Sequence, residues 1–200
     1  MALDFNQRSY TKSVDQVAID EGLRAYMLKV YNYMTIGLLL TGFIAYFFGK
    51  ASIVTNEMGQ IVGVTQVGAL LFGSPLKWVV MLAPLGFVFY LSARINRMSV
   101  SAAQITFWLF ASIMGLIGII IASIANFWFQ SGPLAFAISV IGVLVFVGLT
   151  AYDTQNIKNM YYGGDSEEIG SKKALMGALK LYLDFINLFI LLLQLFGQRR

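Results

Sequence analysis

Apolar residues fall in five long blocks, separated by short stretches that hold nearly all the charge. The blocks are Val30–Phe48, Trp78–Ile95, Ala102–Phe129, Leu134–Tyr152 and Leu175–Phe196. A helix needs about 20 mainly apolar residues to cross the hydrocarbon core of a bilayer. The pattern therefore predicts an all-α, polytopic membrane helix bundle of about five transmembrane helices. Pro84 in the second block removes a backbone donor and predicts a kink there. Ser131-Gly132-Pro133 reads as a short turn, so the third and fourth blocks should form a tight hairpin. The third block is too long. Its 28 residues would make a helix of about 42 Å, against a core of about 30 Å. Such a helix tilts, protrudes or breaks near Gly115 and Gly118.

Between the blocks the polar stretches are short. Residues 1–29 read as a cytoplasmic amphipathic segment, with Asp4, Asp15, Asp20 and Glu21 interspersed among Arg8, Lys12, Arg24 and Lys29. Ile19, Leu23, Tyr26 and Val30 fall at helical spacing and lead into the first span. The segment lacks the short apolar core and cleavage site of a secretory signal. Residues 30–200 then form the transmembrane domain. Residues 51–66 read as a polar loop, so the Gly59/Gly63 pair inside it carries no weight as a packing motif. Ala111 and Gly115 are a small-residue pair that lets another helix approach closely. Trp78 and Trp128 suit the membrane interface, and Asn126 and Gln194 suit ties between helices.

Composition agrees with this partition and narrows the chemistry. The 200 residues are 58% apolar and 12% charged, with a mean hydropathy of +0.72. A soluble domain is about 25% charged. His and Cys are both absent, which excludes thiol nucleophiles, His- or Cys-based zinc sites and a Ser-His-Asp triad. No enzymatic constellation and no cofactor motif remains. The net charge of +4 belongs to bases scattered between apolar blocks, which suits membrane topology rather than nucleic acid. With the N-terminus in the cytoplasm, ten of the fourteen bases fall inside, as the positive-inside rule requires. The Arg199–Arg200 pair dissents, unless the last segment is re-entrant.

Three places could carry chemistry. Asp184 sits near the centre of the last block. An Asp there costs about 2.5–3.5 kcal/mol on insertion scales, so it needs a partner or water. Lys180, one turn earlier, offers a purely structural tie. Asp153 follows the fourth block directly. It is either a solvated helix end or, if the helix runs on towards Gly163-Gly164, a carboxylate below the mouth of the bundle. Arg94 and Arg97 end the second block on the same side. They serve as positive-inside anchors or as a counter-charge to the acids. Two neighbouring carboxylates and an arginine would make a pH-sensitive latch, and carboxylate oxygens also suit a hard cation such as calcium.

Gly148-Leu149-Thr150-Ala151-Tyr152-Asp153-Thr154-Gln155 and Leu181-Tyr182-Leu183-Asp184-Phe185-Ile186-Asn187-Leu188-Phe189 together resemble the paired signature of the Bax inhibitor family. The lead-in and the stretch from Ser74-Pro75-Leu76 to Met98-Ser99 resemble its bacterial branch. The resemblance implies a protein of the bacterial inner membrane and, in the family's full form, seven helices. It implies a pH-sensitive calcium leak with Asp153 and Asp184 as the sensor and calcium contact. Arg94, or alternatively Arg97, is then the latch partner. It also implies a second role, regulating a membrane protease. The chain departs from the family at one point. The sequence of two helices is missing between Ser112-Ile113-Met114-Gly115 and Leu116-Ile117-Gly118, which would explain the overlong third block. Both flanking helices run the same way, so the deletion preserves the sidedness of everything after it. Such a shortened relative would conduct, act only through partners or be inactive.

Overall fold

The computed structural model describes the backbone of residues 2–58, 61–128 and 132–197, and the side chains of residues 21–58, 61–118, 120 and 136–196. The expected placements of Trp128, Asn126, Ser131, Arg199 and Arg200 lie outside the described side chains. Five long helices carry the fold: α1 (Ala2–Ser52), α2 (Leu76–Arg94), α3 (Val100–Trp128), α4 (Gly132–Asn159) and α5 (Glu167–Gly197). Each contains a segment long and apolar enough to cross a membrane, as the five blocks predict. The first such segment begins at Glu21. α1 crosses from the lead-in into the first span without a break, and Leu23, Tyr26 and Val30 all pack inward at their helical spacing.

One sequence expectation needs correction. Residues 51–66 are not simply a polar loop. Ile53–Thr55 (β1) pairs antiparallel with Ile61–Val64 (β2), Ile53 opposite Val64. Its β-branched residues favour strands, and Thr65 then caps a short helical stretch from Gln66 to Gly73. Of the alternatives for the overlong third segment, the structure removes the break at Gly115 or Gly118, because α3 runs continuously from Val100 to Trp128.

α3 stays whole where its small residues meet α1. A Cβ on Gly115 would lie 2.6 Å from the carbonyl oxygen of Thr41, so only glycine permits this approach. The intrinsic cost of glycine in a helix, about 1 kcal/mol, is offset by the contact it allows. α1, α3 and α5 form the centre of the bundle, with α2 against α3 and α4 against α5. Leu91 and Ile95 meet Phe107, Phe110 and Ala111 of α3 and Leu175, Leu179 and Tyr182 of α5 in the main core. Phe107 and Tyr182 touch edge to face, the favoured aromatic arrangement.

One polar node ties the three central helices. Thr41 Oγ1 lies 2.5 Å from Tyr182 Oη, 2.8 Å from the Ala111 carbonyl and 2.9 Å from the Gly37 carbonyl. A threonine hydroxyl has one proton. If Tyr182 donates to Thr41, Thr41 can donate to a carbonyl and both hydroxyls are satisfied. At the end of the bundle where α1 enters, Lys29 donates to Ser171 Oγ at 2.6 Å.

Candidate functional site

α4 and α5 run antiparallel, and their contacts fall in order along both. Ser139 donates to Gln194 Oε1 at 3.4 Å, the tie expected of Gln194. Gly142 faces Leu191, and Ile157 faces Gly177. Between these pairs the Asp153 and Asp184 carboxyls meet, within hydrogen-bonding range of each other. The helix does run on past Asp153 to Asn159. That continuation puts Asp153 about six residues, or about 9 Å, inside the helix end.

The two acids sit differently. Asp184 is only 9% exposed, whereas Asp153 is half-buried. Asp184 Oδ2 has no hydrogen-bond donor among the described residues. Buried polar atoms are nearly always paired, so an oxygen without a donor is unusual here. Lys180 is exposed one turn earlier, within electrostatic range of Asp184. Among the described residues no ion pair joins them. Towards the end of the bundle that bears the N-terminus, an apolar plug packs among α1, α4 and α5, about one turn from the dyad. It is built from Tyr26, Met27 and Val30 of α1, Ile157 of α4, and Ala174, Ala178 and Leu181 of α5. Gly177 lets Ile157 in: a Cβ there would sit 2.9 Å from Ile157 Cγ2.

The arginines are elsewhere. Arg94 ends α2, and Arg97 closes the short 3-10 turn that follows. Both are exposed, and neither forms an ion pair among the described residues. The structure thus brings Asp153 and Asp184 together but does not bring either arginine to them. Two groups escaped the sequence reading, the plug and the Thr41–Tyr182 node. Thr41, a hydroxyl inside an apolar block, was the available signal for the node. For the plug the signal was partial: the helical spacing of Leu23, Tyr26 and Val30 marked its α1 face, while Ile157 and the α5 residues look like ordinary apolar residues.

Among the described residues no group of three or more acidic side chains converges. Calcium takes six to eight oxygens, more than two carboxyls supply.

Comparison with known proteins bears on the whole chain. The family model described as "Inhibitor of apoptosis-promoting Bax1" matches residues 23–117 and, separately, 111–200. An uncharacterized protein of Rickettsia prowazekii is 36% identical, with 99% of each chain covered. The inner membrane protein YbhL of Escherichia coli is 34% identical, over 90% of this chain and 94% of its own. An uncharacterized membrane protein of Streptococcus pyogenes is 31% identical, over 90% of this chain and 95% of its own. No solved structure matches significantly. The alignment with the Rickettsia protein is 248 positions long and this chain has 200 residues. At least 48 aligned positions, the difference between those lengths, therefore have no counterpart here. That is enough sequence for two spans of about 20 residues each. The two stretches matched by the family model meet at 111–117, where the deletion was expected. With five apolar helices and a family match over nearly its whole length, the chain is an integral membrane protein of the Bax inhibitor family.

Proposed function

We propose that the protein is a pH-sensitive cation leak, with calcium as the cation, gated by Asp153 and Asp184 and without enzymatic activity. The observation that carries this reading is the approach of a buried carboxyl, Asp184, to a half-buried one, Asp153, with one Asp184 oxygen left unserved. Such a pair is held by a shared proton, or it loses the proton and repels. The repelling state suits a passing cation. In this reading the apolar plug beside the dyad is the closed gate, and opening requires α4 to part from α5. Arg94 or Arg97 is the counter-charge of the latch in another state, reached by movement of the α2 end. The N-terminal face lies in the cytoplasm and the membrane is the bacterial inner membrane, in keeping with the ten bases on that side and the name of the Escherichia coli relative.

The test is calcium efflux from liposomes holding the full chain, measured across pH. The wild type should leak in a pH-dependent way. Asp184→Asn, whose amide donates to Asp153 without titrating, should flatten that dependence. Equal leak from both proteins at every pH would end the proposal.

A second reading has its own observation. Of the described α4 side chains, only Ser139 and Ile157 are buried. An uncovered helix face beside a deletion suits a non-conducting regulator of a membrane protease or another membrane complex. An inactive shortened relative would also leave it bare. Cross-linking from α4 that captures a protease, with no calcium flux at any pH, would favour the regulator.

A further inference from the structure

A second polar site lies at the end of the bundle that bears the N-terminus, apart from the dyad. There the 3-10 turn after α2, the residue after α4 and the first turns of α5 line a cavity of about 380 Å³. Its apolar lining is Ile95, Met160, Ile169 and Met176, and its polar lining is Asn96, Lys172 and Lys173. No acidic side chain lines it. Lys172 pairs with Glu168 at 2.8 Å, and Lys173 pairs with Asp165. An ammonium group has three donors, so each lysine keeps donors beyond its carboxylate. Arg94 and Arg97, exposed and without ion pairs among the described residues, flank Ile95 and Asn96 in the chain.

We propose that this cavity seats the headgroup of an anionic phospholipid from the leaflet on that side. The position selects an amphiphile. The cavity opens where spanning helices end, so its occupant meets charged donors and apolar side chains at once. A phosphodiester would accept from Lys172, Lys173 and Asn96, while the glycerol and first methylenes would lie on the methionines and isoleucines. Basic pockets between helices at the membrane surface recognise anionic headgroups by this combination. The positive-inside rule accounts for bases on this face, but not for their sharing one cavity with an apolar lining. The proposal does not depend on the Asp153–Asp184 dyad.

Native mass spectrometry of the full chain in detergent tests it, with phosphatidylglycerol, phosphatidylcholine and glycerol 3-phosphate as probes. Phosphatidylglycerol should bind more tightly than phosphatidylcholine. Lys172→Gln with Lys173→Gln should weaken it about thirtyfold, about fivefold for each lysine. Lys172→Gln alone leaves the Lys173–Asp165 pair intact and should still lose about fivefold. Lys50→Gln removes the same charge at the other end of α1 and should change nothing. Undiminished phosphatidylglycerol binding in Lys172→Gln would overturn the proposal, as would equal binding of phosphatidylcholine. Equal competition by glycerol 3-phosphate would reassign the site to a free phosphate ester.

Discussion

The α1–α3–α5 centre and the α4 arm are built from the same kinds of residue and behave as opposites. In the centre, side chains reach full burial (Phe107, Phe110 and Tyr182 are 0% exposed) and the Thr41–Tyr182 node can be fully satisfied. On α4 most of the surface is bare, and the polar contact it makes with α5 leaves an oxygen unserved. Lipid is as apolar as leucine, so burial alone gives α4 little reason to stay in one place. Packing and hydrogen bonds fix helices in a membrane, and the centre holds most of both. The centre is therefore the frame, and α4 is an arm held to it on one side, against α5. The dyad sits at the boundary between frame and arm.

The largest effect separating the two regions should come from truncating matched apolar side chains. Phe107→Ala empties a site with no exposure and should lower the unfolding free energy by about 3–5 kcal/mol. Leu144→Ala on α4 removes a side chain that is 69% exposed and should stay within about 0.5 kcal/mol. Reversible unfolding in bicelles measures both. Similar losses would erase the distinction between frame and arm.

A smaller contrast comes from adding atoms to glycines. Gly115→Val places a Cβ 2.6 Å from the Thr41 carbonyl oxygen and 2.9 Å from Ile44 Cβ. The helices must part, at about 1–3 kcal/mol. Gly148→Ala on α4 meets nothing within 4 Å and should gain up to about 1 kcal/mol of helix propensity. The same unfolding assay reads the opposite signs. A destabilised Gly148→Ala would reveal a contact on α4 that makes it part of the frame.

The parts of this division that were legible in the sequence are those where one residue breaks a pattern. Asp184 in an apolar block demanded a partner or water, and Asp153 comes within electrostatic range of it because α4 continues past Asp153. Ala111 and Gly115 announced a close approach by another helix, and the Thr41 contacts show that helix to be α1. The deletion showed as a block of excessive length. What depends on pairing between distant helices was not legible. Ile157 and Leu181 look like any other apolar residues, yet they plug the face below the dyad. The hairpin at Ile53–Val64 was hidden by the glycines and polar residues around its turn, although its β-branched residues were in view. The arginines could be assigned to a side of the membrane from the charge count, but a count carries no information on which helix end stands beside which.

The smallest contrast uses one substitution in both regions. Thr41→Val keeps the shape of the side chain and removes the hydroxyl that joins Tyr182 of α5 to Ala111 of α3. Hydrogen bonds between membrane helices average about 0.6 kcal/mol and reach about 1.7 kcal/mol, and a loss in that range is expected. Thr150→Val removes a hydroxyl from α4 that donates only to Phe146 of its own helix, at 2.8 Å. Its loss leaves a carbonyl already served by the helix ladder, so a change near zero is expected. Threonine back-bonding slightly destabilises helices, so even a small gain at Thr150 fits. Equal costs at the two positions would mean that the Thr41 node adds nothing beyond local bonding. The stiffness of the frame would then rest on side-chain packing alone.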